Sequence, residues 1–229
     1  MQLASVIRAR VYALIQVEDL NPRGRVYYPD IAEALVARYE FKKYPTKIED
    51  FDESKGIEFA DGRAHDVVID KVVILSSGIY VDTRDDTDAS DAILHDALEW
   101  LASDFGLTYK PEMISRRAYI SELTFHSDAP LLYVHPVLQE LCRVASSEVA
   151  HNFGQPLTYE PAAINLMYDK LQTAVGPAAF TVQRREGVPF SENKYYSSSP
   201  LKTAIHLKLL EMYEQAVIKG QFQSLPARS

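Results

Sequence analysis

The sequence predicts an α+β fold: a mixed or mainly antiparallel sheet, with amphipathic helices packed mostly on one face. Three observations carry that expectation. Several stretches alternate apolar and polar residues with a period of two, four others repeat apolar residues every three or four positions, and the strands are joined by tight turns in some places and by helices in others. With 229 residues and 47% apolar composition, the chain is long enough to bury a substantial core, and one domain over 1–229 is expected.

From the start of the chain, Ile7, Ala9, Val11, Ala13, Ile15 and Val17 alternate with Arg8, Arg10, Tyr12 and Gln16, the period of a half-buried strand. A helix competes here, because Leu3, Ile7, Val11 and Leu14 also fall at helical spacing. The turn Asn21-Pro22-Arg23-Gly24 ends this segment, and Pro29-Asp30 opens a helix carrying Ile31, Ala34, Leu35 and, a turn on, Arg38-Tyr39 on one face. Residues 46–56 are polar and acidic and read as a mobile surface loop. Sheet structure follows, with a turn expected at Asp61-Gly62 and a turn or bulge at Ser76-Ser77-Gly78.

Residues 87–105 are the best-specified helix. Thr87 or Asp88 is expected as its cap, Gly106 as its stop, and Ile93, Leu94, Ala97, Leu98, Leu101 and Phe105 as its apolar face. No lysine or arginine stands between Thr87 and Tyr109, so Asp96, Glu99 and Asp104 are expected to form a bare acidic surface. A strand through Ala118, Ile120, Leu123 and Phe125 precedes a helix from Pro136 to Gly154, whose Leu138, Leu141, Cys142, Ala145 and Val149 are expected to be core. A strand pair near 163–167 and 180–184 is followed by a last helix from Pro200 to Lys219, for which Ser199 is the expected cap.

Composition narrows the function classes. Cys142 is the only cysteine, which excludes an internal disulfide framework and any multi-cysteine metal site. No apolar run approaches the roughly 20 residues that span a bilayer, and MQLASVIRAR lacks a signal peptide's apolar block. A cytoplasmic protein without membrane contact is expected.

Charge is split along the sequence. Residues 49–112 hold 17 acidic and 5 basic residues, against 5 and 8 in 1–48 and 4 and 8 in 170–229. Such polarity favours docking of unlike surfaces, within one chain or between copies, and disfavours direct nucleic-acid binding.

Several small constellations resemble reactive sites. His126, Asp128 and His135 match the residue types of a non-haem iron triad, but the sequence around them reads as a turn and a helix start. Glu148 and His151 have one-turn spacing, as in a di-iron bundle, without the second motif such bundles need. Glu192-Asn193-Lys194 fits the tail of a magnesium-dependent nuclease, and so does Glu53-Ser54-Lys55 in an expected loop. The aspartates from Asp82 to Asp91 offer oxygen ligands, yet helix capping accounts for part of that run. No cofactor is expected.

Two arginine pairs carry more weight. Arg116 and Arg117 begin one strand and Arg184 and Arg185 end another, with Lys194 nearby in sequence. If those strands are neighbours, the guanidinium groups form a basic edge suited to anions or to an acidic surface. The function expected is therefore a non-catalytic interaction or assembly subunit, of the kind found among viral or mobile-element accessory proteins. It would join Asp96, Glu99 and Asp104 to Arg116, Arg117, Arg184, Arg185 and Lys194 of another copy or a protein partner. The alternatives are a magnesium-dependent hydrolase or nuclease using Glu192 and Lys194, and an acidic decoy for a nucleic-acid-binding partner.

Overall fold

The computed structural model describes residues 1–22, 24, 26–169, 171 and 176–220. Arg23 of the expected first turn, and Lys170 and Arg228 of the basic C-terminal part, lie outside the described residues. In chain order the elements are β1 (Gln2–Leu14), α1 (Tyr28–Tyr39), β2 (Ile57–Ala64), β3 (Val67–Leu75), β4 (Gly78–Thr83), α2 (Thr87–Phe105), β5 (Arg116–His126), α3 (Pro136–Phe153), β6 (Ala163–Leu166), β7 (Phe180–Arg184), β8 (Lys194–Ser199) and α4 (Thr203–Lys219). The strands form one antiparallel sheet in the order β2-β3-β4-β1-β5-β8-β7-β6. This is an α+β fold.

The chain divides into two compact units. The larger comprises Val6–Glu122 and Ser199–His206, and the smaller Met1–Ser5, Leu123–Ser198 and Leu207–Ser229.

In the larger unit the alternation of β1 decides the core. Ala9, Val11 and Ala13 are fully buried, and register sets Val11 opposite Val81 and Ala13 opposite Ile79 on β4. Ile69 on β3 and Ile57 and Phe59 on β2 extend the apolar face. Two helices cover it: α2 supplies Ile93, Leu94, Leu98 and Leu101, and α1 supplies Ile31, Leu35 and Tyr39. Burying each such side chain is worth about 1.5–3 kcal/mol. Strand thus prevails over helix at the start of the chain, because two helices already fill the core side and an extended β1 satisfies its amides against β4.

The sheet corrects one turn. Asp61 and Gly62 lie inside β2, and the chain reverses at His65-Asp66, where His65 has φ 51°. Gly62 is needed for a close approach rather than for a turn, since a Cβ there would stand 2.4 Å from the Phe41 ring. The turn at Ser76-Ser77 is found as expected, between Leu75 and Gly78.

Two of the helix starts in this unit, those of α2 and α4, differ by one to a few residues from expectation. The α2 cap is Asp86, whose carboxylate accepts from the Ala89 amide at 2.7 Å, with Gly106 ending the helix at φ 69°. Ser199 is not a cap but the buried last residue of β8, following the buried Tyr195 and Ser197 at a period of two. Helix α4 starts at Thr203. The Thr203 amide donates to Thr87 Oγ1 at 3.0 Å and the Thr87 amide donates to Thr203 Oγ1 at 3.2 Å. Each helix start thus supplies the other's missing acceptor.

The smaller unit packs around β5, β7 and β8. Leu123, Phe125, Leu131, Leu132, Val182, Tyr195 and Leu210 are buried there, the Phe125 and Tyr195 rings stack at 5.7 Å, and Tyr195 Oη accepts from the Leu131 amide at 3.0 Å. Its helix α3 begins and ends as expected, with Pro136 at its start and Gly154 in the left-handed conformation after its end, but none of its 18 residues is buried. Leu141 is 62% exposed, and Cys142 is half-buried rather than core. The apolar periodicity was real; it did not say which side would be covered.

Two outcomes test this packing. Leu98→Ala should cost about 2–5 kcal/mol by urea denaturation, whereas Leu141→Ala should cost less than about 0.5 kcal/mol. The second concerns His206, which is fully buried on α4. Burial lowers its pKa from 6.5 to about 4, against an opposing hydrogen bond with the Ser121 backbone. The unfolded chain therefore takes up this proton first as pH falls, so stability is complete above about pH 6.5 and declines by about 3 kcal/mol towards pH 4. His206→Gln should remove that part of the pH dependence in denaturation curves measured across this window.

Candidate functional site

Folding closes the charge split seen in the sequence. The described basic residues before position 48 and the acidic stretch after it lie in the same unit, whose described residues include 14 basic and 23 acidic; those of the smaller unit include 6 and 9. Arg38 on α1 pairs with Asp96 on α2 at 2.8 Å, and Lys43 pairs with Asp61 at 2.8 Å. On the sheet face away from the larger unit's core, Arg10 grips Asp82 with two nitrogens, Lys71 pairs with Glu58 at 2.9 Å, and Arg8 pairs with Glu122.

The expected acidic surface of α2 is consequently not bare. Asp88 pairs with Lys202 and Asp91 with Arg117 at 2.9 Å. Asp96 accepts additionally from Tyr39 Oη at 2.6 Å; burial pushes its carboxyl up, but Arg38 and Tyr39 outweigh this and hold it below the usual range. Glu99 lies 3.2 Å from His95, and Asp104 accepts from Trp100 Nε1 at 2.7 Å. The partners of Asp88, Asp91 and Asp96 come from other elements and leave no local signal, whereas those of Glu99 and Asp104 stand four residues earlier on α2 itself.

The arginine pairs belong to different units. Arg116 is exposed on β5, and Arg117 is held by Asp91. Arg184 is 7% exposed and does not serve as a surface charge. It donates to Glu160 at 2.5 Å, to the Phe190 carbonyl at 3.0 Å and to the Pro161 carbonyl at 3.3 Å, with its guanidinium 4.2 Å from the Phe190 ring centre. Alternation on β7 buries Arg184 and leaves Arg185 exposed, while Lys194 on β8 is half-buried. Beside this cluster, burial and Glu160 push the Tyr133 hydroxyl up to about 12.

Of the metal-like constellations, His135 and the Asp128 amide take structural roles, while other members lie exposed. His135 Nδ1 accepts from the Val137 amide at 3.2 Å and so caps α3. Asp128 is exposed, and its amide donates to the buried Glu214 at 2.9 Å, as the Ser127 hydroxyl does at 2.7 Å. Burial pushes the Glu214 carboxyl up, but the Met1 ammonium, Ser127 and Asp128 hold it below the usual range. Glu148 and His151 are exposed along α3, and Glu192 is exposed in a short turn before Lys194. Among the described residues no three histidine, cysteine or carboxylate side chains gather into a metal-binding group.

Two open clefts flank α1 in the larger unit. One, of about 520 Å³, is lined by Tyr27, Tyr28, Tyr44, Pro45 and Phe51. The other, of about 680 Å³, contains Arg38, Glu40, Arg63, His65 and Asp96, and its Asp96 carboxylate is already engaged by Arg38 and Tyr39.

No family model matches the chain. A search of curated proteins likewise finds no match. Among solved structures, Methanococcus jannaschii TBP is similar at 10% identity and a TM-score of 0.37, over 95% of this chain and 98% of that one, a likeness too distant to bear on function.

What remains is apolar. Of the 20 large hydrophobic side chains that are exposed among the described residues, 14 belong to the smaller unit. Val137, Leu141 and Val144, at 70%, 62% and 42% exposure, fall at offsets of four and seven and share one face of α3. The sequence contained Leu141 as a candidate core residue and gave no sign of its exposure, since periodicity reads the same for a face covered by its own chain and one covered by another.

The arginine cluster yields a direct contrast. Glu160→Gln leaves Arg184 charged in a largely closed site and should cost about 3–5 kcal/mol in urea denaturation. Arg185→Glu, one residue further on the exposed side, should stay within about 0.5 kcal/mol.

Proposed function

We propose that the chain is a non-catalytic interaction or assembly subunit that docks on protein through the apolar face of α3, rather than through its segregated charges. The observation that carries this reading is an 18-residue amphipathic helix with no buried residue. Its smaller unit holds most of the exposed large hydrophobics, a distribution that favours a covering partner. The charge pairing supports the same reading from the other side. Asp96, Arg117 and Arg184 already have internal partners, so recruiting them would first break those pairs. Nucleic acid is a poor partner for the open sheet face, because Arg8, Arg10 and Lys71 there each face a carboxylate, leaving little net charge to release phosphate counterions.

In-cell photo-crosslinking tests the reading. With p-benzoylphenylalanine in place of Leu141, irradiation of cells from the chain's native background should yield a discrete protein adduct, while the same group in place of Arg185 should yield none. Absence of any protein adduct at Leu141 would overturn the proposal.

A further inference from the structure

We infer that the partner of α3 is a second copy of this chain, packed antiparallel across a two-fold axis. This deepens the interaction reading and rests on it. A two-fold contact requires a surface complementary to itself, and the charges beside the apolar face meet that requirement. Glu140 and Arg143 flank Leu141, both well exposed, and pair with each other at 2.6 Å along their own helix.

When two α3 helices run antiparallel with their midpoint between Leu141 and Cys142, Glu140 of each copy comes opposite Arg143 of the other, giving two attractive pairs that these exposed side chains share with their contact along the helix rather than exchange for it. The same register places Leu141 at the centre and brings Val144 alongside the Leu138–Gln139 stretch of the facing helix. A parallel arrangement in register would instead put each helix's Glu140 and Arg143 on the opposite side of the seam from those of its partner, and the pairing would be lost. The spacing of Val137, Leu141 and Val144 is also the four-then-three repeat that forms the seam between paired helices.

Net charge does not oppose this arrangement. The chain carries −8 overall, but the described residues of the smaller unit, 6 basic and 9 acidic, bring the lesser part of that charge to the contact.

The experiment is sedimentation equilibrium on the full chain over about 1–100 μM, the range expected of a modest interface. Wild type should be a dimer that dissociates on dilution. Leu141→Glu should be a monomer with an unchanged circular dichroism spectrum, since its position is exposed. Glu140→Arg and Arg143→Glu, each alone, convert the pairs to like charges and should weaken dimerisation at least about tenfold. Mixing those two variants is the deciding measurement. In the mixed pair both contacts become attractive while neither intrahelical contact changes, so a heterodimer of near wild-type affinity should form. A wild-type chain that is monomeric throughout, although Leu141 crosslinks to a different protein, would overturn the second-copy inference and leave the interaction reading standing. A dimer disrupted by Leu141→Glu but not restored by mixing would overturn the antiparallel register.

Discussion

The bidentate pair between Arg10 and Asp82 is the constraint on which the larger unit depends. The two residues are direct partners in the β1–β4 register, the Asp82 side chain is only 5% exposed, and the Arg10 guanidinium lies 3.9 Å from the Tyr80 ring centre. Two charges withdrawn this far from water cost stability unless their geometry is good. Here both guanidinium contacts and the aromatic ring are aligned in one register. Slipping β1 by one residue would separate them and turn Ala9, Val11 and Ala13 out of the core. Polar and apolar faces of the same strand therefore specify one alignment, and α1 and α2 pack on the surface so defined.

The charge pattern gains a different meaning from this geometry. An acidic middle with basic flanks suggests separate surfaces when it is read as a line. In three dimensions the flanking arginines and lysines of the larger unit reach back to the acidic stretch, and much of the polarity is spent on holding α1, α2 and the sheet together. The large apolar side chains that stay exposed lie mostly outside this network of pairs. Most of them lie in a smaller unit whose own core is correspondingly modest.

Local signals were legible wherever they were sufficient. The alternation of β1, the left-handed glycines after α2 and α3, and the Ser76-Ser77 turn each depend on nearby residues, and each is found. Signals that depend on distant contacts were not legible. Tyr195, Ser197 and Ser199 form a buried alternation disguised by hydroxyls, so β8 was missed and Ser199-Pro200 resembled a helix start. Gly62 resembled a turn because Phe41, the ring it accommodates, is 21 positions earlier. At the candidate site, Asp96 and Arg184 were visible as charges, but Arg38 and Glu160, which occupy them, were not. Leu141 was visible as apolar, and only its surroundings could distinguish core from interface.

The reciprocal bond between Thr87 and Thr203 has a consequence for how the molecule is made. Residues 199–206 belong to the larger unit, yet they follow the whole of 123–198 in the chain. During synthesis, α2 can form as soon as it emerges, but the acceptor for its Thr87 amide arrives only after more than a hundred further residues. The larger unit thus cannot close by itself while the ribosome is still translating the smaller one, and the nascent chain must carry an unfinished helix start through that interval. Maturation of the two units is coupled in time by the path of the backbone.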